Sequence, residues 1–143
     1  MTSGRYVLDT NVIIRNQMSA VPGLVSAVVL EELAAGAQDA ASVRRLESML
    51  AAAKADGVLL TPDGGDWFHA GKVLNSLYRG LRSRRSPEPV SIPRDEQQRL
   101  LRDVLIARSA RRVNAAVVTY NRRDFEKIRR FCNVPLRDPS EFR

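Results

Sequence analysis

The residues with the most chemical potential in this chain are acidic. Asp103 has Leu100, Ala107 and Ala110 around it at helical spacing, so its carboxylate points along an apolar helix face, where an unpaired charge is costly to bury. An ion pair with one of the many arginines would be the ordinary explanation. Asp9 ends the short apolar run Tyr6-Val7-Leu8, at the carboxyl end of an expected strand, the edge where open α/β sheets build their sites. Its modest alternative is helix capping. Glu31 and Glu32 both have apolar neighbours three and four residues away, and periodicity does not choose between them. The segment Thr119-Tyr120-Asn121-Arg122-Arg123-Asp124-Phe125 leaves a strand and enters a helix, which places Asn121 and Asp124 at the same sheet edge as Asp9. Four acidic positions on converging elements would suit a hard cation such as Mg²⁺ or Mn²⁺, which prefers oxygen ligands and is held by a few carboxylates plus water and phosphate.

The elements that must position these acids can be read from periodicity and punctuation. Strands are expected at 6–8, 58–60 and 115–119, with a proline-containing edge strand at Val134-Pro135-Leu136. Ser26 can cap a helix over 27–35 that Gly36 ends. A second helix runs from about Asp39 to Asp56-Gly57, with Val43, Leu46, Met49 and Leu50 on its apolar stripe. A third carries Trp67, Ala70, Gly71, Leu74, Leu77, Tyr78 and Leu81 as a core stripe, and the only histidine, His69, falls on its opposite side. Prolines at 87, 89 and 93 make residues 82–94 a basic loop. Further helices are expected at 95–113 and 122–130. Strands alternating with helices imply an α/β fold with a parallel sheet flanked by helices on both faces.

The 143 residues suit a single domain, over 1–143, able to bury a core without disulfides. No apolar run approaches the ~20 residues of a bilayer span, and the amino terminus carries no signal-type segment, so no membrane association and a cytoplasmic location are expected. The lone Cys132 is a packing residue, and no Cys/His spacing suggests zinc. Charge is uneven. Residues 1–78 hold 6 basic and 8 acidic side chains, whereas residues 79–143 hold 17 and 8, giving nets of −2 and +9. Only three of the 23 basic residues are lysine. Arginine forks bind phosphate oxygens bidentately, which points to a nucleic-acid partner.

Four segments in order, Val7-Leu8-Asp9-Thr10-Asn11, Leu30-Glu31-Glu32-Leu33-Ala34-Ala35-Gly36, Asp103-Val104-Leu105-Ile106-Ala107 and Val117 to Phe125, resemble the successive signatures of PIN domains, most closely VapC-type toxins. The resemblance runs from about Tyr6 to Leu136. It implies a PIN-like three-layer α/β sandwich, a Mg²⁺ or Mn²⁺ endoribonuclease site, a VapB-type antitoxin partner and a homodimer. In the family the acid precedes a Leu and stands four residues before a Gly, which selects Glu32 over Glu31. The first and third acids match Asp9 and Asp103. The fourth match is Asp124, with Asn121 as a polar helper: family members place an acidic or amide residue at the position of Asn121 and another acid at that of Asp124, and Thr119 could offer its hydroxyl. The expected roles are metal binding by Asp9, Asp103 and Asp124, activation of water by Glu32, and grip on the RNA backbone by Arg82, Arg84 and Arg85. Competing readings are a PIN-like binding module that does not cut, and a structure-specific DNA nuclease.

Overall fold

The computed structural model describes residues 5–16, 23–85 and 93–142. In chain order the elements are β1 (Arg5–Leu8), α1 (Thr10–Asn16), β2 (Val25–Ser26), α2 (Ala27–Ala35), α3 (Ala40–Ala55), β3 (Leu59–Leu60), α4 (Gly64–Arg85), α5 (Arg94–Arg112), β4 (Ala115–Val118), α6 (Arg122–Arg129) and β5 (Leu136–Arg137), with a closing 3₁₀ turn at Pro139–Phe142. All strand pairs are parallel. One ladder has the order β1-β4-β5 and the other joins β2 to β3. A single bridge between Val7 and Leu24, with the Leu24 amide donating to the Tyr6 carbonyl at 2.7 Å, stitches the two ladders together. The strand order therefore reads β3-β2-β1-β4-β5, and the direction of winding reverses between β1 and β4.

All four residues of β4 are buried. Successive strand residues face opposite sides of a sheet, so both faces of β4 must be covered, and the result is the α/β sandwich of helices around a short parallel sheet that the sequence implied. Residues 103–107 of α5 are buried without interruption, and Val104, Leu105, Ile106 and Ala107 with Val7, Val117, Phe125 and Ile128 form the centre of the core. β5 lies at the edge, where Pro135 withholds no needed donor and its carbonyl accepts the Val117 amide at 2.9 Å.

Helix ends follow local chemistry. The Ser26 hydroxyl accepts the amides of Val28 and Val29 and caps α2. α3 ends in a Schellman arrangement: the Val58 amide reaches the Ala53 carbonyl and the Gly57 amide that of Lys54, with Gly57 at φ 69°. Gly36, by contrast, ends α2 at φ −92°, a conformation any residue adopts. α4 begins with a reciprocal box in which Asp63 accepts the Asp66 amide at 2.8 Å and Asp66 accepts the Asp63 amide at 3.0 Å.

Four expectations need correction. Strand β2 is too short, at two residues, to leave a periodic signal, and the sequence reading passed over it. Helix α4 continues to Arg85, because the first proline stands at 87 and disfavours helical backbone only at the residue before it. Arg82, Arg84 and Arg85 are thus in the last turns of α4 and not in a loop; their side chains, and residues 86–92 of the expected loop, lie outside the described residues. Val43 and Met49 on α3 are exposed, since this helix buries only Ala53 fully. Trp67 is 53% exposed, and the buried stripe of α4 runs instead through Asp66, Ala70 and Val73.

Candidate functional site

The carboxyl ends of β1 and β4 meet where the winding reverses, the position at which open α/β sheets form their crevices. Asp9 follows β1, and its amide donates to the Val118 carbonyl at 2.9 Å. That bond locks the residue to the neighbouring strand end. Asp9 is 5% exposed and each carboxylate oxygen accepts one hydrogen bond, from the Thr10 amide at 2.8 Å and from the Thr119 hydroxyl at 2.8 Å. Capping and site placement coincide here, because the Asp9 carbonyl also accepts the first amides of α1, from Val12 and Ile13.

Thr119, just past β4, is the hub of the edge. Its hydroxyl donates to Asp9 and accepts the Asn121 amide at 2.9 Å. The Asn121 side chain in turn donates to Asp124 at 2.9 Å, in the first turn of α6. Asn121 and Asp124 are therefore hydrogen-bonded to each other at this edge. Asn11, not singled out in the sequence, accepts the Tyr120 amide at 3.4 Å and ties the start of α1 to the same turn.

Asp103 enters from α5. It is 6% exposed, and among the described residues no ion pair reaches it. Burial first, then the charges of Asp9, Glu32 and Asp124, push its pKa up to about 8, against a smaller opposing effect of Arg99. Glu32, half-buried on α2, is raised by burial and then by Asp9, and Arg102 and Thr10 work in the other direction. Asp9 is raised by burial, which its hydrogen bonds to Thr119 and Thr10 partly offset. Glu31 takes a different part: it is exposed and pairs with Arg102 at 3.1 Å. The fold thus brings Asp9, Glu32, Asp103 and Asp124 into one electrostatic neighbourhood, to which Glu31 adds only the smallest of the effects on Glu32.

As the side chains stand, no group of three or more His, Cys, Asp or Glu among the described residues is spaced to hold one ion. The donor set is nonetheless all carboxylate oxygen, the kind that Mg²⁺ and Mn²⁺ take. The sequence reading missed Thr10, whose buried hydroxyl lies against Glu32 with no hydrogen bond of standard geometry. It also missed Asp66, 1% exposed, which pairs with Arg112 at 2.9 Å while Arg112 donates to the Thr61 carbonyl. The Asp63/Asp66 box was readable from spacing; the arginine 46 residues away was not.

No helix among the described residues is long and apolar enough to cross a membrane. Neither a family model nor a curated protein matches the sequence. Solved structures do match in shape. A chain of VapBC-1 from nontypeable Haemophilus influenzae is 22% identical, with 94% of this chain and 98% of that one covered at a TM-score of 0.58. A chain of DNA-bound VapBC from Salmonella typhimurium is 22% identical over 95% and 98% at 0.57. One of FitAcB from Neisseria gonorrhoeae is 17% identical over 94% and 98% at 0.58. The chain has the PIN-type α/β fold of these VapBC and FitAcB chains, matched along nearly the whole length of both partners.

Proposed function

We propose that this protein is a Mg²⁺- or Mn²⁺-dependent endoribonuclease, the toxin partner of a VapB-type antitoxin, and that it acts as a homodimer. The observation that carries the reading is Asp103: a buried carboxylate with no cationic partner among the described residues, facing three other acids. Such an arrangement destabilises the folded chain unless something positive or a proton relieves it. A divalent cation does so, and carboxylates that repel one another stand apart until it offsets the repulsion. The shared fold with VapBC chains supports the pairing with an antitoxin.

Asp9, Asp103 and Asp124 would hold the ion, and Thr119 and Asn121 fix the orientation of the first and last. A bound divalent ion supplies charge neutralisation at a scissile phosphate and lowers the pKa of water. Glu32 orients the attacking water and accepts its proton, a role suited to a carboxylate whose pKa is raised above its ordinary value by burial and by Asp9. Arginines of the basic second half, including Arg82, Arg84 and Arg85, grip the phosphates without reading bases. Cleavage of an end-labelled RNA by the purified chain tests the reading. Product is expected with Mg²⁺ or Mn²⁺, none with EDTA, and none from D103N, which still binds RNA. RNA binding without metal-dependent product in the wild-type chain would leave only a binding module.

A further inference from the structure

Beside the acids, α2 and α5 share a pocket of about 400 Å³ with the start of α4. Val28, Leu101 and Leu105 make its apolar part, and the half-exposed indole of Trp67 lines it. Its polar groups are Thr61, Gln98 and the Glu31–Arg102 ion pair, closed at 3.1 Å. The pocket and the acid cluster are neighbours by construction. Glu31 and Glu32 are consecutive on α2, Arg102 and Asp103 are consecutive on α5, and consecutive helical residues point roughly 100° apart. Each helix thus turns one side chain to the acids and the next to the pocket.

We infer that this pocket receives one unstacked nucleobase of single-stranded RNA adjoining the phosphate at the acids. The inference rests on the nuclease reading above and gives that site its base contact. An indole face stacks on any base, and the amide of Gln98 together with the carboxylate and guanidinium of the ion pair offers acceptors and donors to a base edge. RNA is read in this way, by splaying single-stranded bases onto aromatic and guanidinium planes. The volume is that of a small-molecule pocket, and the apolar floor suits the flat remainder of a base. The competing occupant is an apolar side chain of a protein partner.

Trp67 is the only tryptophan, so its emission reports on the pocket alone. The full-length D103N chain is titrated with a short single-stranded RNA and with the same backbone carrying abasic positions, with binding followed independently by anisotropy. The RNA is expected to quench the emission, and the abasic strand is expected to bind roughly tenfold more weakly without quenching, the scale of one lost base–aromatic stack. In the cleavage-competent chain, Trp67→Ala raises KM by a similar factor at constant kcat, and Trp67→Phe restores it, with circular dichroism confirming that both fold. Bound RNA that leaves the emission unchanged, or a folded Trp67→Ala chain with wild-type KM, overturns the base pocket and leaves it to a protein side chain. Absence of cleavage by the wild-type chain overturns the nuclease reading, while the D103N titration still decides the pocket.

Discussion

Two buried aspartates, Asp66 of α4 and Asp103 of α5, live under opposite rules. Asp66 lies against the carboxyl end of α5, 1% exposed, held by the Arg112 guanidinium at 2.9 Å and by the Asp63 amide. Asp103 lies in the middle of the helix, nearly as buried, and its neighbours are three more acids. The first charge is answered by a cation and hydrogen bonds, so it staples α4 to α5. The second has no ion pair among the described residues, only the small opposing effect of Arg99, and its burial makes chemical sense only with a cation or a proton beside it. Burial of a charge does not mark a functional site; what surrounds the charge does.

The sharpest way to break the comparison is the same substitution at both places. D103N is expected to abolish cleavage, a loss greater than the roughly 10–100-fold of removing an outer partner of a metal site, while its melting temperature holds or rises. D66N is expected to keep cleavage and lose stability by about 1–3 kcal/mol, discounted from the full cost of a broken buried pair because Arg112 is partly exposed. Chemical denaturation and RNA cleavage of the two variants measure both halves, and matching effects at the two positions would erase the distinction. Next in size is T119V, which removes the hydroxyl that joins Asp9 to the Asn121 amide; a fall in kcat of roughly 10–100-fold is expected at nearly unchanged KM.

A third expectation concerns pH. Asp103 in the folded chain titrates at about 8, above the 3.8 of a free aspartate, so the folded state holds the proton more tightly than the unfolded one. Its contribution to stability is therefore complete in acid and is lost as the pH rises from about 4 through 8. Melting in EDTA is expected to drop between pH 5 and 8, D103N to flatten that drop, and Mg²⁺ to restore the melting temperature at pH 8. The smallest effect belongs to E31Q. The Glu31–Arg102 pair is solvent-exposed, so less than about 1 kcal/mol of stability is at stake, and cleavage chemistry stays intact where E32Q loses it.

Much of this arrangement was legible beforehand for reasons that are local. Strand ends at Leu8 and Val118, the Ser26 cap and the Asp56-Gly57 stop follow from period, side-chain capping and backbone conformation, all of which depend on a few adjacent residues. The apolar setting of Asp103 is likewise a matter of i±3 and i±4 neighbours. Trp67 was misplaced for the same reason. Helical spacing shows which residues share a stripe of α4 but not how wide a stripe the neighbouring helix covers, and α5 covers the side of Ala70 and Val73.

Residue order alone carries the alternation of strands and helices, the apolar surroundings of Asp9 and Asp103, and the concentration of arginine in the second half. The resemblance to PIN domains chose Glu32. Only the tertiary structure decided that Glu31 turns to Arg102 while Glu32 turns to Asp9, that Asn121 and Asp124 are joined, and that Thr119 ties Asp9 to both. Propensity and periodicity act over a few residues, whereas the field around Asp103 is the sum of charges at positions 9, 32 and 124, brought from the end of β1, from α2 and from α6, and it exists only once the parallel sheet has set the ends of β1 and β4 side by side.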